Sequence, residues 1–114
     1  MADMYYLNLN PIPFSLIKSS RKKVEMRLFD ERRKVLKVGD NITFTNNETN
    51  EQLVVEITNL KQFKDFEELY SFYNKEDLGY SKDETASADD MLIYYAKEKI
   101  AMYGVLAIEI KLII

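Results

Sequence analysis

Apolar and polar positions alternate from Tyr5 to Leu9, as they do in a short strand, and the pattern stops at Asn10-Pro11. Asn caps helices well, and Pro at the first helical position loses no needed hydrogen bond, so a helix should start there. Phe14, Leu16 and Ile17 give that helix one apolar side, and it should end near Ser19 and Ser20. Val24, Met26 and Leu28 then alternate with Lys23, Glu25 and Arg27, the period of a half-buried strand. Asp30 to Lys34 reads as a charged turn and Val38-Gly39-Asp40 as a tight one. Two strands follow, near Asn41–Thr45 and Gln52–Leu60, and the polar stretch Asn46–Asn50 joins them as a hairpin.

Asp65–Tyr73 is expected to be a second helix, because Phe66, Leu69, Tyr70 and Tyr73 fall on one stripe. Asn74–Thr85 reads as loop, with Gly79 free to take unusual backbone angles. Ser87 to Asp90 forms a capping box that opens a third helix, and Gly104 ends it. Val105–Ile114 closes the chain as a strand. Hairpin-linked strands without regular βα alternation favour an α+β domain with a curled, mostly antiparallel sheet. The last strand is expected to pair near the first, since a small barrel must close its edges.

Composition narrows the chemistry. The 114 residues read as one domain, residues 1–114, of ordinary globular composition, 46% apolar and 31% charged. No run approaches a membrane span and no signal peptide is visible. Without cysteine, disulfide and thiolate chemistry are excluded, and a cytoplasmic location is the expectation. Without histidine, the commonest general base, Cys/His zinc sites and the familiar nucleophilic triads go too. The acidic run from Asp65 to Asp90 matches no calcium loop, so neither metal nor cofactor is expected.

Net charge is −3, but it is unevenly spread. Lys18 to Lys37 holds nine Lys or Arg against three Asp or Glu. A basic pole on an acidic body attracts phosphate locally and repels long nucleic acid elsewhere. Within that pole Glu25 and Arg27 share one face of their strand, alpha carbons roughly 7 Å apart. Lys22 belongs to the turn before it. Arg27 is equipped to grip a carbonyl or phosphate in a bidentate fork, and Glu25 to accept from the amino edge of a base. Lys22 stands beside Arg21, Lys23 and Arg27, and like charges there should lower its pKa towards a base or nucleophile. The plainer alternative is a surface Glu25–Arg27 pair worth about 0–1 kcal/mol.

The pattern Ser20-x-Lys22-x-x-Glu25-x-Arg27 resembles the Gly-x-Lys-x-x-Glu-x-Arg signature of the ASCH domain, in the PUA-like superfamily. The likeness extends to the opening Tyr5-Tyr-Leu-Asn-Leu-Asn-Pro-x-Pro-Phe14, to Val38-Gly39-Asp40, to Leu78-Gly79-Tyr80 and to Tyr94-Tyr95-x-Lys97-Glu98. It continues in the closing Tyr103-Gly-Val-Leu-Ala-Ile-Glu-Ile110, so it covers nearly the whole chain. Ser20 departs from the signature glycine.

The resemblance implies a PUA-like β-barrel with flanking helices and a cleft lined by the motif. It further implies binding of RNA or a nucleotide-like small molecule. Related small members hydrolyse acetylated cytidine with a Lys, a Thr and a Glu. Here the lysine falls on Lys22, Glu25 stands at the threonine position, and the acid is not placed by motif. Other members are described as ribonucleases.

Most of the eight Tyr and six Phe read as core. Tyr80, after Gly79 in a polar loop, is a candidate to flank the cleft. Tyr95 and Glu98 stand three apart on the expected third helix and point the same way. The expected ligand contacts are thus Lys22, Glu25, Arg27, Arg21, Tyr80, Tyr95 and Glu98, with Lys22 and Glu25 catalytic if the protein is an enzyme. Three function classes follow: an RNA- or nucleotide-binding domain with a basic cleft, a hydrolase of acylated nucleosides or a ribonuclease, and an adaptor whose charged strand meets an acidic protein.

Overall fold

The computed structural model describes residues 2–113; Met1, the first residue of the expected domain, and Ile114, the last of the expected final strand, lie outside them. Strand β1 (Met4–Leu9) runs into helix α1 (Pro11–Lys18), and a tight turn leads to β2 (Val24–Leu28). The hairpin β3 (Asn41–Asn46) and β4 (Gln52–Phe63) precedes α2 (Phe66–Phe72). A 3-10 helix (Ala88–Ile93), α3 (Lys97–Tyr103) and β5 (Val105–Leu112) complete the chain.

Pro11 opens α1 as its position predicts, but the Asn10 side chain does not cap it. Its oxygen accepts instead from Asn47 Nδ2 at 2.7 Å, tying the helix start to the β3–β4 turn. Asp65 does cap α2, accepting from the Glu68 N–H at 2.9 Å. The expected single helix from Ser87 to Tyr103 is broken. Ser87 caps only the 3-10 helix, and extended backbone at Ala96 starts α3 afresh. The break lets Tyr95 stack on Phe66, ring centroids 5.9 Å apart and planes within 18°.

The sheet order is β1-β3-β4-β5-β2, antiparallel except for β1 beside β3. The expectation that the last strand pairs near the first is therefore corrected. Strand β5 lies between β4 and β2, and β1 finds a parallel partner in β3 through the α1–β2 crossover. The sheet curls into a half-barrel with β1 and β2 as its open edges, the α+β PUA-like fold.

Register assigns the two faces. Phe14 and Ile17 of α1 pack on Ile42, Phe44, Val55, Ile57 and Ile108, all essentially inaccessible. Val24, Met26 and Leu28 belong to the opposite face, with Val105, Ala107, Phe66, Leu69 and Met91. Each of these large side chains contributes about 1.5–3 kcal/mol on burial. An irregularity between Ile57 and Asn59 switches the parity of β4, so Leu60 takes over the inward role of Leu53 and Val55. No helix among the described residues is long and apolar enough to cross a membrane.

Candidate functional site

The gap between the open edges β1 and β2 is the site. Helix α1 spans it, and the segment from Tyr70 to Tyr95 walls it on the other side. The result is a cleft of about 400 Å³, within the ordinary range for small-molecule sites.

Its floor is ionic. The turn after α1 places Lys22: Ser20 adopts φ +61°, and the Arg21 and Lys22 N–H groups both reach the Leu16 carbonyl. Ser20 occupies the position of the signature glycine, and left-handed backbone costs a serine about 1 kcal/mol. Lys22 Nζ lies 3.0 Å from Glu25 Oε1, which also accepts from the Met26 N–H at 3.1 Å. Arg27 grips Oε2 with Nε at 3.1 Å and Nη2 at 2.9 Å. Each carboxylate oxygen thus has two donors. Lys22 and Glu25 are only 9% and 4% exposed. Burial alone would push the Glu25 carboxyl up, but Lys22 and Arg27 outweigh it and hold the pKa at about 2. Arg27 Nη2 also donates to the Asn8 carbonyl at 3.2 Å, bridging the two sheet edges.

Above the floor the walls are aromatic. Tyr80 Oη meets Tyr70 Oη at 2.9 Å and Asp90 Oδ2 at 2.7 Å. Burial pushes the Tyr80 phenol up, and its bonds to Tyr70 and Asp90 push it further, so it stays a neutral donor. Burial likewise raises Tyr95, with Arg27 pulling against it. Gly79 takes φ +109°, and a Cβ there would lie 3.3 Å from Lys22 Cδ and 3.4 Å from Leu16 Cδ1. Only glycine lets the loop close over the lysine stem. The Asp77 carbonyl fixes that loop to β2 by accepting from the Lys23 and Val24 N–H groups.

The expected residues divide. Lys22, Glu25, Arg27, Tyr80 and Tyr95 line the cleft together. Arg21 and Glu98 are exposed and lie outside its lining. Tyr95 sits in the break before α3 rather than on it, so the shared face expected with Glu98 does not form. The crowd of cations expected around Lys22 is replaced by a carboxylate partner. Nor is the lining basic: Lys22 and Arg27 face three carboxylates, Glu25, Glu84 and Asp90. Among the described residues no group of three His, Cys, Asp or Glu is placed to hold a metal ion.

Several lining residues went unread in the sequence. Glu84 and Asp90 belong to the acidic run that matches no calcium loop, and Tyr70 to the apolar stripe of α2, so neither pattern points to the cleft. Arg33, outside the lining, is another residue the sequence did not single out. It stands at the margin of the charged group, 3.6 Å from Asp30, with its buried Nε unpartnered. Burial, with Arg27 nearby, lowers its pKa.

A family model, the ASCH domain, matches residues 7–114. Among solved structures the chain is similar to the hypothetical protein PH0355, with 30% identity and a TM-score of 0.82 over 96% of this chain and 99% of that one. Protein PF0455 from Pyrococcus furiosus shares 31% identity at a TM-score of 0.69, over 96% and 97%. ASCH from Zymomonas mobilis shares the fold, at 17% identity and a TM-score of 0.67 over 93% and 65%. No curated protein matches the chain at a significant level.

Proposed function

The chain belongs to the ASCH domain family, and from that premise we propose that it binds RNA or a nucleotide-like ligand by taking one planar heterocycle into the cleft. The observation that carries this reading is the buried Lys22–Glu25–Arg27 cluster on the floor of a tyrosine-walled cavity. Arg27 keeps its second terminal nitrogen, and Lys22 two of its N–H groups, for carbonyl oxygens of a guest. Glu25, with four donors already on it, orients these two cations. Tyr80, Tyr94 and Tyr95 offer apolar faces to a flat ring. With three carboxylates in the lining, the cleft suits an uncharged base better than a phosphate. A cysteine-free chain of this kind suits the cytoplasm.

Thermal melting with a panel of nucleosides and short RNAs tests the reading. A guest at a hundred times its Kd stabilises the fold by about 2.7 kcal/mol. Arg27→Ala and Lys22→Ala should each abolish the rise in melting temperature. A panel that leaves the wild type unmoved at low salt, or variants that respond like it, would overturn the proposal.

A second reading is hydrolysis of an acylated nucleoside, favoured by an amine and a carboxylate 3.0 Å apart inside the cleft. Incubation with acylated cytidines followed by chromatography decides it; unchanged substrates rule it out for the compounds tried. The same pairing weighs against it, because Lys22 is committed to Glu25 rather than offered as a base.

A further inference from the structure

A second cavity, about 380 Å³, opens at the start of β2 and shares just one lining residue with the cleft, Lys22. Ile17 and Ser20 at the end of α1 form one side, and Ile110, Lys111 and Leu112 of β5 form the other. Strand β5 runs past β2 here. Val24 pairs with Glu109, the Ile110 N–H reaches the Lys23 carbonyl, and Leu112 has no partner on β2. The cavity is therefore an open sheet edge, flanked by the side chains of Lys23 and Lys111.

Its charge is opposite in character to that of the cleft. Lys22, Lys23 and Lys111 line it, and no carboxylate does. Lys23 and Lys111 are exposed, and neither enters an ion pair among the described residues. Glu56 stands opposite Lys111 in the β4–β5 register without closing a salt bridge to it. Lys23 and Glu25 are two residues apart on extended backbone, about 7 Å, so the two cavities lie within one nucleotide's reach.

We infer that the second cavity is a phosphate subsite for a single-stranded RNA whose base occupies the cleft, with Lys23 and Lys111 contacting the backbone and Lys22 forming the wall between. The inference rests on the base-binding reading and extends it, since the partner becomes a polynucleotide rather than a free nucleoside. The division of labour is physical. Phosphates dominate affinity through release of counterions and are repelled by carboxylates, whereas an uncharged base tolerates the acidic lining.

The test uses a fluorescein-labelled, mixed-sequence decaribonucleotide titrated by anisotropy at several salt concentrations. Lys23→Ala/Lys111→Ala should lose about tenfold in affinity at low salt, and the slope of log K against log salt should fall by about 1.4, two contacts at 0.7 each. Lys64→Ala/Lys82→Ala, the same charge change at exposed sites elsewhere, should bind like the wild type. Nucleoside-induced melting shifts should be the same in all three proteins. A wild type that does not bind the decamer at 50 mM salt, an unchanged slope, or an equal loss in the control pair would overturn the inference. If nucleosides shift none of the proteins while the slope still falls, the cleft reading fails and the phosphate contacts stand.

Discussion

Glu25→Gln removes one charge and almost no volume, so it isolates what the carboxylate does for the folded chain. The wild-type group titrates at about 2 instead of its ordinary 4.5. At 1.36 kcal/mol per pKa unit, that depression corresponds to about 3 kcal/mol of stability. Breaking a buried pair and stranding its cations costs about 3–5 kcal/mol in comparable cases, which agrees. For a domain of this size each kcal/mol is worth about 4 °C, so the variant should melt about 10–15 °C lower. The direction with pH follows from the depressed value. The stabilisation is complete above the unfolded pKa near 4.5 and is lost as pH falls through about 2. Urea unfolding of both proteins from pH 7 to pH 2 should therefore give a constant gap down to about pH 5 and converging stabilities below it. Every other carboxylate is common to the two proteins and cancels. A gap under 1 kcal/mol at neutral pH, or one that persists undiminished at pH 2, would refute the reasoning.

Replacing the whole cluster, Lys22→Met/Glu25→Leu/Arg27→Met, should restore stability to within about 2 kcal/mol of the wild type or above it, because no buried charge is stranded. It should also eliminate nucleoside-induced melting shifts; a triple variant as fragile as Glu25→Gln counts against the argument. Gly79→Ala should cost about 1–3 kcal/mol in urea unfolding, through its positive φ and the pressure on the Lys22 stem. A neutral result would mean that the loop shifts freely. Ser20→Gly should gain about 0.5–1 kcal/mol by relieving the left-handed serine, and calorimetry showing a lower melting temperature would contradict that.

Local pattern carried what local physics decides. The alternation Val24-Met26-Leu28 put Glu25 and Arg27 on a common face, and the pair forms there. Pro11 marked a helix start because the constraint it imposes acts within one turn, and the stripe of Phe66, Leu69 and Tyr70 marked α2 in the same local way. Pairings between distant segments were another matter. Nothing within β5 says that both its edges are taken, by β4 and β2, so the pairing expected between the last strand and the first does not form. The break at Tyr94–Ala96 has no Pro or Gly to announce it; it serves the stacking of Tyr95 on Phe66, a contact across the fold. The charge of the cleft was misjudged for the same reason. A window from Lys18 to Lys37 is rich in cations, yet folding brings Glu84 and Asp90 from far along the chain to face two of them.

One nitrogen, Nη2 of Arg27, fastens the β2 edge to the Asn8 carbonyl on β1 while also holding Glu25. A guanidinium has a fixed complement of protons, so a guest held by the free Nη1 leaves this latch closed, whereas one that takes the Nη2 proton now given to Asn8 opens the seam of the half-barrel. For a guest of the second kind, occupancy and the integrity of that seam compete. Amide exchange along β1 should quicken when such a guest binds, even as the rest of the domain becomes harder to unfold.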